Sequence, residues 1–263
     1  MITTLLIIGL LLIGSLLFFL YKSSAQKQKQ RKKYLSDFLP SWETILKEKV
    51  SYYNQLSPED QERFKKKIQQ FLSEATISGV NVDVDDSIRL LIASSAVIPV
   101  FRLDDWQYLN MGEILVYNGE VDTGETSEYD KETILLGQVR PFQTKHMVLF
   151  SKQYLEQGFQ QMKDGHNVGM HEFAHMIDQA DGDIDGIPSS IMPPELIKPW
   201  TKIMYAELEK MKKGKSDINV YGYTNHAEFF AVVCEYFFEN PEKFKKKHPE
   251  MYRILTATFF KKK

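Results

Sequence analysis

Apolar and polar positions divide the chain into two unequal parts. Residues 1–21, MITTLLIIGLLLIGSLLFFLY, hold no charged side chain, and KSSAQKQKQRKK follows with Lys22, Lys27, Lys29, Arg31, Lys32 and Lys33. A run of about 20 apolar residues crosses a bilayer as a helix, and basic residues beside a span stay on the cytoplasmic side. The pattern predicts a single-pass transmembrane anchor over 1–21, a basic juxtamembrane linker over 22–34 and one cytoplasmic domain over 35–263. A cleaved signal peptide is the rival. It would begin with a basic segment, which is absent here, and carry a shorter apolar core.

Within the domain, helical spacing dominates. SWETILKEKVSYYNQL, starting on Ser41, sets Trp42, Ile45, Leu46 and Val50 on one side. SPEDQERFKKKIQQFLSEA opens with Ser57 before Pro58 and has acids in its first turn, a well-marked helix start. The helical pattern continues to about Ser78. DDSIRLLIASSAVIPVFRL reads as a buried helix ending near Pro99. EILVYN and HMVLFS, rich in Val, Ile, Leu and aromatics, read as strands. SKQYLEQGFQQMKDGHN follows as a helix capped by Ser151 and closed by Gly165. LIKPWTKIMYAELEKMKKGK is an amphipathic helix ended by Gly214. The stretch from Asn225 onward holds two last helices, broken near Pro241 and Pro249. The class expected is α+β, mainly helical with a small sheet and no repeats.

Composition narrows the chemistry. With 43% hydrophobic and 26% charged residues the chain is of ordinary globular make-up. A net charge of −2 argues against a nucleic-acid binder. The single cysteine, Cys234, excludes an internal disulfide and a zinc module built on paired cysteines. A metal site must therefore draw on histidine, aspartate and glutamate.

NVGMHEFAHMIDQADGD supplies such residues. On a helix His171 and His175 stand one turn apart and point the same way, so both imidazoles can reach one ion. Glu172 falls beside them, where it can take a proton from water, as in H-E-x-x-H zinc proteases. Phe173, Ala174, Met176 and Ile177 make the helix apolar, and buried unpaired histidines would be costly. A catalytic zinc has three protein ligands and one open position. Two carboxylates compete for third place. Asp181 lies six residues after His175, but Asp178 stands where a glycine would be needed to turn the chain back. Glu228 lies far off in YGYTNHAEFFAVVCEYFF, in a helix apolar nearly all round, where a carboxylate needs a partner. The plain alternative for Glu228 is a capping box with Asn225. Glu235, seven residues on, is either a support or a substitute ligand, with small Ala231 between. Asp178, on the ligand face, is a candidate to orient an imidazole.

HEFAHMID, the downstream AEFFAVVCEYFF and the YGYTN before it resemble the Mlc titration factor A family of zinc peptidases. The likeness runs from about residue 35 to 260. It implies a zincin-like metallopeptidase domain similar in its core to lethal-factor-type proteases. It further implies Zn2+ held by His171, His175 and Glu228, with Glu172 as base and Tyr221 as a catalytic tyrosine; Tyr223 is the nearby rival. The activity expected is hydrolysis of a peptide or protein substrate, as an endo- or aminopeptidase. The alternative is a regulatory protein on the same fold, because the family's namesake binds a transcriptional repressor. HMVLFS is a candidate edge for an extended peptide. His146, His166, His226 and His248 are expected in surface or capping roles.

Overall fold

One helix apolar on every side organises the interior. The computed structural model describes residues 31–104, 106–108, 111–119, 137–142, 145–160 and 165–260, with isolated positions between 15 and 29. Chain order runs α1 (Pro40–Lys49), α2 (Ser51–Asn54), α3 (Pro58–Glu74), β1 (Thr76–Val80), α4 (Asp86–Val100), β2 (Met111–Tyr117), β3 (Gly137–Phe142) and β4 (Lys145–Ser151). Then come α5 (Lys152–Gln160), α6 (Val168–Asp178), α7 (Pro194–Lys212), α8 (His226–Glu239), α9 (Pro241–Lys247) and α10 (Pro249–Phe259). Two short 3₁₀ turns, Gln179–Asp181 and Val220–Tyr223, precede α7 and α8 respectively.

α4 is the buried helix expected from DDSIRLLIASSAVIPV. Asp85 caps it by accepting from the Ile88 amide, and its residues from Leu90 to Val100 are all buried. Ser57 likewise caps α3 through the Asp60 amide. Ser41 caps nothing: α1 begins one residue earlier, at Pro40, with its fixed φ in the first turn. The sheet has the order β1-β2-β4-β3, parallel except for β3 against β4. Ile114 pairs with Val148 and Val116 with Phe150, all fully buried, so one face of β2 and β4 is core.

Several sequence expectations need correction. β1 occupies residues assigned to the end of a helix; Ala75, in extended conformation, ends α3 and leads into it. β4 is not an edge, since β2 and β3 pair on either side of it. Ser151 ends β4 rather than capping α5, and its buried hydroxyl has no hydrogen-bond partner among the described residues. The tail holds three helices, because each proline starts a new one in its first turn. Among the described residues no helix is long and apolar enough to cross a membrane; the expected anchor over 1–21 lies, but for isolated positions, outside them.

α6 is the seam of the interior. Met170, Phe173 and Met176 join a cluster built from α1, α3, α4 and the sheet, while Ala174 and Ile177 join a second one built from α7, α8 and α10. Its start approaches α4 closely. A Cβ on Gly169 would sit 2.0 Å from Ser95 Oγ and 2.7 Å from Ser95 Cβ, with Ser95 fully buried. The segment after α7 is pinned by a polar network. Buried His248 donates from Nε2 to Asp217 Oδ1 (2.8 Å), Tyr236 donates to Asp217 Oδ2 (2.9 Å), and Ser216 donates to Glu207 Oε1 (2.7 Å). His248 is thus a buried, paired histidine and not a surface one; it stands at the N-cap position of α10, but its side chain caps nothing there.

Overpacking at α6 sets the first prediction. Gly169→Ala should lower unfolding stability in a denaturant titration by about 1–3 kcal/mol, and Ser95→Gly should recover part of it; a loss under about 0.5 kcal/mol would show that the contact relaxes freely. The second concerns acid. Partial burial acts to raise the Asp217 carboxyl, but hydrogen bonds from His248 and Tyr236 outweigh it and hold the group below the usual carboxylate range. Such a group stabilises the fold above its unfolded pKa, and the contribution disappears as pH falls through the folded value. Asp217→Asn should therefore lack part of the parent chain's stability loss below about pH 4, and superimposable stability–pH curves would contradict this.

Candidate metal centre

Asn167 opens α6. Its Oδ1 accepts from the Met170 amide (3.0 Å), and its Nδ2 donates to Gly158 O and Glu239 Oε1 (both 3.1 Å). From that start the helix brings His171 and His175 onto one side, their Nε2 atoms 3.1 Å apart. α8 packs against α6. Asn225 caps α8 by accepting from the Glu228 amide (2.9 Å), which fixes Glu228 in the first turn. Only half of the capping box forms. The Glu228 side chain turns to the imidazoles, with Oε2 2.9 Å from His171 Nε2 and 3.4 Å from His175 Nε2.

These separations suit a metal. Donors about 2.0–2.1 Å from a tetrahedral ion lie about 3.3 Å from one another. His171, His175 and Glu228 present one ligand atom each at 2.9–3.4 Å. Among the described residues they are the one group of three or more such side chains close enough to hold an ion. Two facing imidazole nitrogens beside a carboxylate otherwise make a poor arrangement, since at most one proton fits between each pair. The donor set fits a divalent cation.

Other groups surround the triad. Glu235 contacts His171 Nδ1 through Oε1 (2.7 Å) and accepts from the Asn167 amide through Oε2 (2.6 Å). It thus meets the other ring nitrogen of His171 from the one that Glu228 meets. Glu172, 4% exposed, lies close enough to feel both imidazoles; burial pushes its carboxyl up to about 7 against their pull. Burial would raise Glu228 too, but its hydrogen bonds to His171 and His175 win and bring it down to about 2. For His171, burial disfavours the charged ring, yet Glu235 and Glu228 outweigh it and raise the imidazole well above its ordinary value. Tyr221 lies on the 3₁₀ turn before α8, its ring centroid 6.0 Å from that of His171. Tyr223, 45% exposed, makes no such ring contact among the described residues.

The remaining candidates go elsewhere. Asp178 is fully buried, and its Oδ2 accepts from the Gly186 amide (2.9 Å) rather than from an imidazole. Its burial pushes the carboxyl up to about 7. α6 runs on through Asp178, and the chain first turns left-handed at Gly182 (φ +103°). Asp181 is thereby exposed and accepts from Ser189 and the Asp183 amide, outside the triad. Gly186 (φ +74°) seats the following loop on α8: a Cβ there would sit 2.2 Å from His226 O. The polar network around Asp217 carried no sequence signal, because 31 residues separate its partners.

Comparison with known proteins shows the family. A family model described as glucose-regulated metallo-peptidase M90 matches residues 24–260. The uncharacterized protein slr2042 of Synechocystis sp. is 30% identical over 228 residues, covering 82% of each chain. Mlc titration factor A of Escherichia fergusonii is 28% identical over 235 residues, 81% of this chain and 83% of its own. Mlc titration factor A of Pectobacterium atrosepticum is 25% identical over 219 residues, 76% of this chain and 78% of its own. The chain belongs to the M90 family of metallo-peptidases, and that membership implies a metal.

Proposed function

We propose that the protein is a zinc-dependent metallopeptidase that hydrolyses peptide bonds, with His171, His175 and Glu228 as ligands and Glu172 as general base. The observation that carries this reading is the convergence of those three donor atoms beside a buried glutamate. Two imidazoles and one carboxylate suit zinc. When bound, zinc would lower the pKa of a water toward about 7 and polarise the scissile carbonyl. Glu172 takes a proton from the attacking water and passes it to the leaving amine. Tyr221, whose ring centroid lies 6.0 Å from that of His171, would donate a hydrogen bond to the oxyanion that develops on the substrate. The apolar run over 1–21 and the basic run after it support a membrane anchor with this domain on the cytoplasmic side.

A second reading is the capture of a regulatory protein. It is favoured by the name Mlc titration factor A, which relatives across most of the chain carry. A glutamate at 172 argues for chemistry, since binding alone does not need a base.

Glu172→Gln should keep its metal by elemental analysis and lose about 10²–10⁴-fold in hydrolysis of chromogenic aminopeptidase or casein-type substrates. Equal cleavage by parent and variant would remove Glu172 from the mechanism. If neither cleaves anything while both capture a protein partner, the regulatory reading stands instead. Glu228→Ala should lose the metal itself; full retention would take Glu228 out of the ligand set.

A further inference from the structure

We infer that Glu235 is a positioning residue that keeps a proton on His171 Nδ1 and so directs Nε2 toward the metal. This rests on the metallopeptidase reading for its purpose, though not for its geometry. Glu235 is 4% exposed, and both of its oxygens are engaged. One meets His171 Nδ1 at 2.7 Å and the other the Asn167 amide at 2.6 Å. The Asn167 amide can only donate, so that oxygen accepts; the proposed tautomer gives Nδ1 the same role, with the carboxylate accepting from both donors. The imidazole therefore bridges two carboxylates two turns apart on α8, Glu228 at Nε2 and Glu235 at Nδ1. Ala231, fully buried between them, brings only a methyl group.

No other side chain of this size serves both donors. A glutamine offers one acceptor and one donor. If its NH₂ faces the Asn167 amide, two donors collide. If the NH₂ faces Nδ1, that nitrogen must become an acceptor and the remaining proton moves to Nε2, the atom the metal needs. The second contact adds a further effect. Asn167 is the cap of α6, so the same carboxylate that sets the His171 ring also sets the start of the helix bearing both imidazoles. Ring orientation and helix placement are fixed by one group.

The test uses the full chain, with zinc affinity measured by competition against a chelator. Glu235→Gln should bind zinc about 10–100-fold more weakly than the parent, and affinity within about twofold would overturn the proposal. A second measurement needs no variant. Proton NMR of the ¹⁵N-histidine-labelled parent should show a strongly deshielded, slowly exchanging His171 Nδ1 proton, in zinc-free and zinc-loaded protein alike. Its absence overturns the proposal even if Glu235→Gln fails to fold. In Glu235→Gln, a merely structural role would lower the melting temperature but leave the Nδ1 proton resonance unchanged from the parent, and that outcome also overturns the proposal. Should the parent show the proton yet take up no zinc, the positioning role stands and the metallopeptidase reading fails.

Discussion

The packing of α6 on α8 is the constraint from which the centre follows. Ala174 and Ile177 on α6 share a cluster with Phe229, Phe230, Ala231 and Val233 on α8, all of them fully buried. Burial of that order contributes about 1.5–3 kcal/mol per large side chain, so the two helices are held by many contacts and not by their polar pair. The polar groups ride on this apolar interface. His171 and His175 rise from one helix, Glu228 and Glu235 from the other, and their meeting distance is set by residues that do no chemistry.

Electrostatics makes such a meeting expensive unless it is compensated. Glu172, Glu228 and Glu235 crowd around two imidazoles, and each is at most slightly exposed. Removing carboxylates from water costs several kcal/mol apiece, and hydrogen bonds must offset it. The groups divide that burden unevenly. Glu228 and Glu235 each bond an imidazole, and Glu228 is driven down to about 2. Burial leaves Glu172 raised to about 7. Their surroundings thus push these two buried carboxylates in opposite directions.

What the sequence disclosed follows the range of each interaction. The caps at Ser57 and the helical spacing of His171 and His175 act within one turn and could be read directly. Glu228 was legible only in part: a carboxylate in so apolar a helix demands a partner, but the family resemblance and not the spacing singled it out from Asp181 and Glu235. Gly169 against Ser95 and Asp217 against His248 join distant stretches without periodicity, and nothing local announces them. β1 was missed because TISGV follows a long helix with no glycine or proline between. The role of Glu235 stayed open in the sequence because spacing puts it on the right face but does not say which nitrogen it meets.

The sheet decides where an extended peptide could approach. HMVLFS looked suited to strand addition because it is apolar and short, yet β4 exchanges hydrogen bonds with β2 on one side and β3 on the other. Neither of its edges is free. Among the described strands only β1 and β3 end the sheet, and of these β3 is the one that lies against α6. A strand added beyond β3 would run beside the helix that carries both imidazoles, whereas one added beyond β1 would be separated from β3 by the whole width of the sheet. Strand order, more than the composition of any single strand, therefore decides which described strands are paired on both sides and which end the sheet.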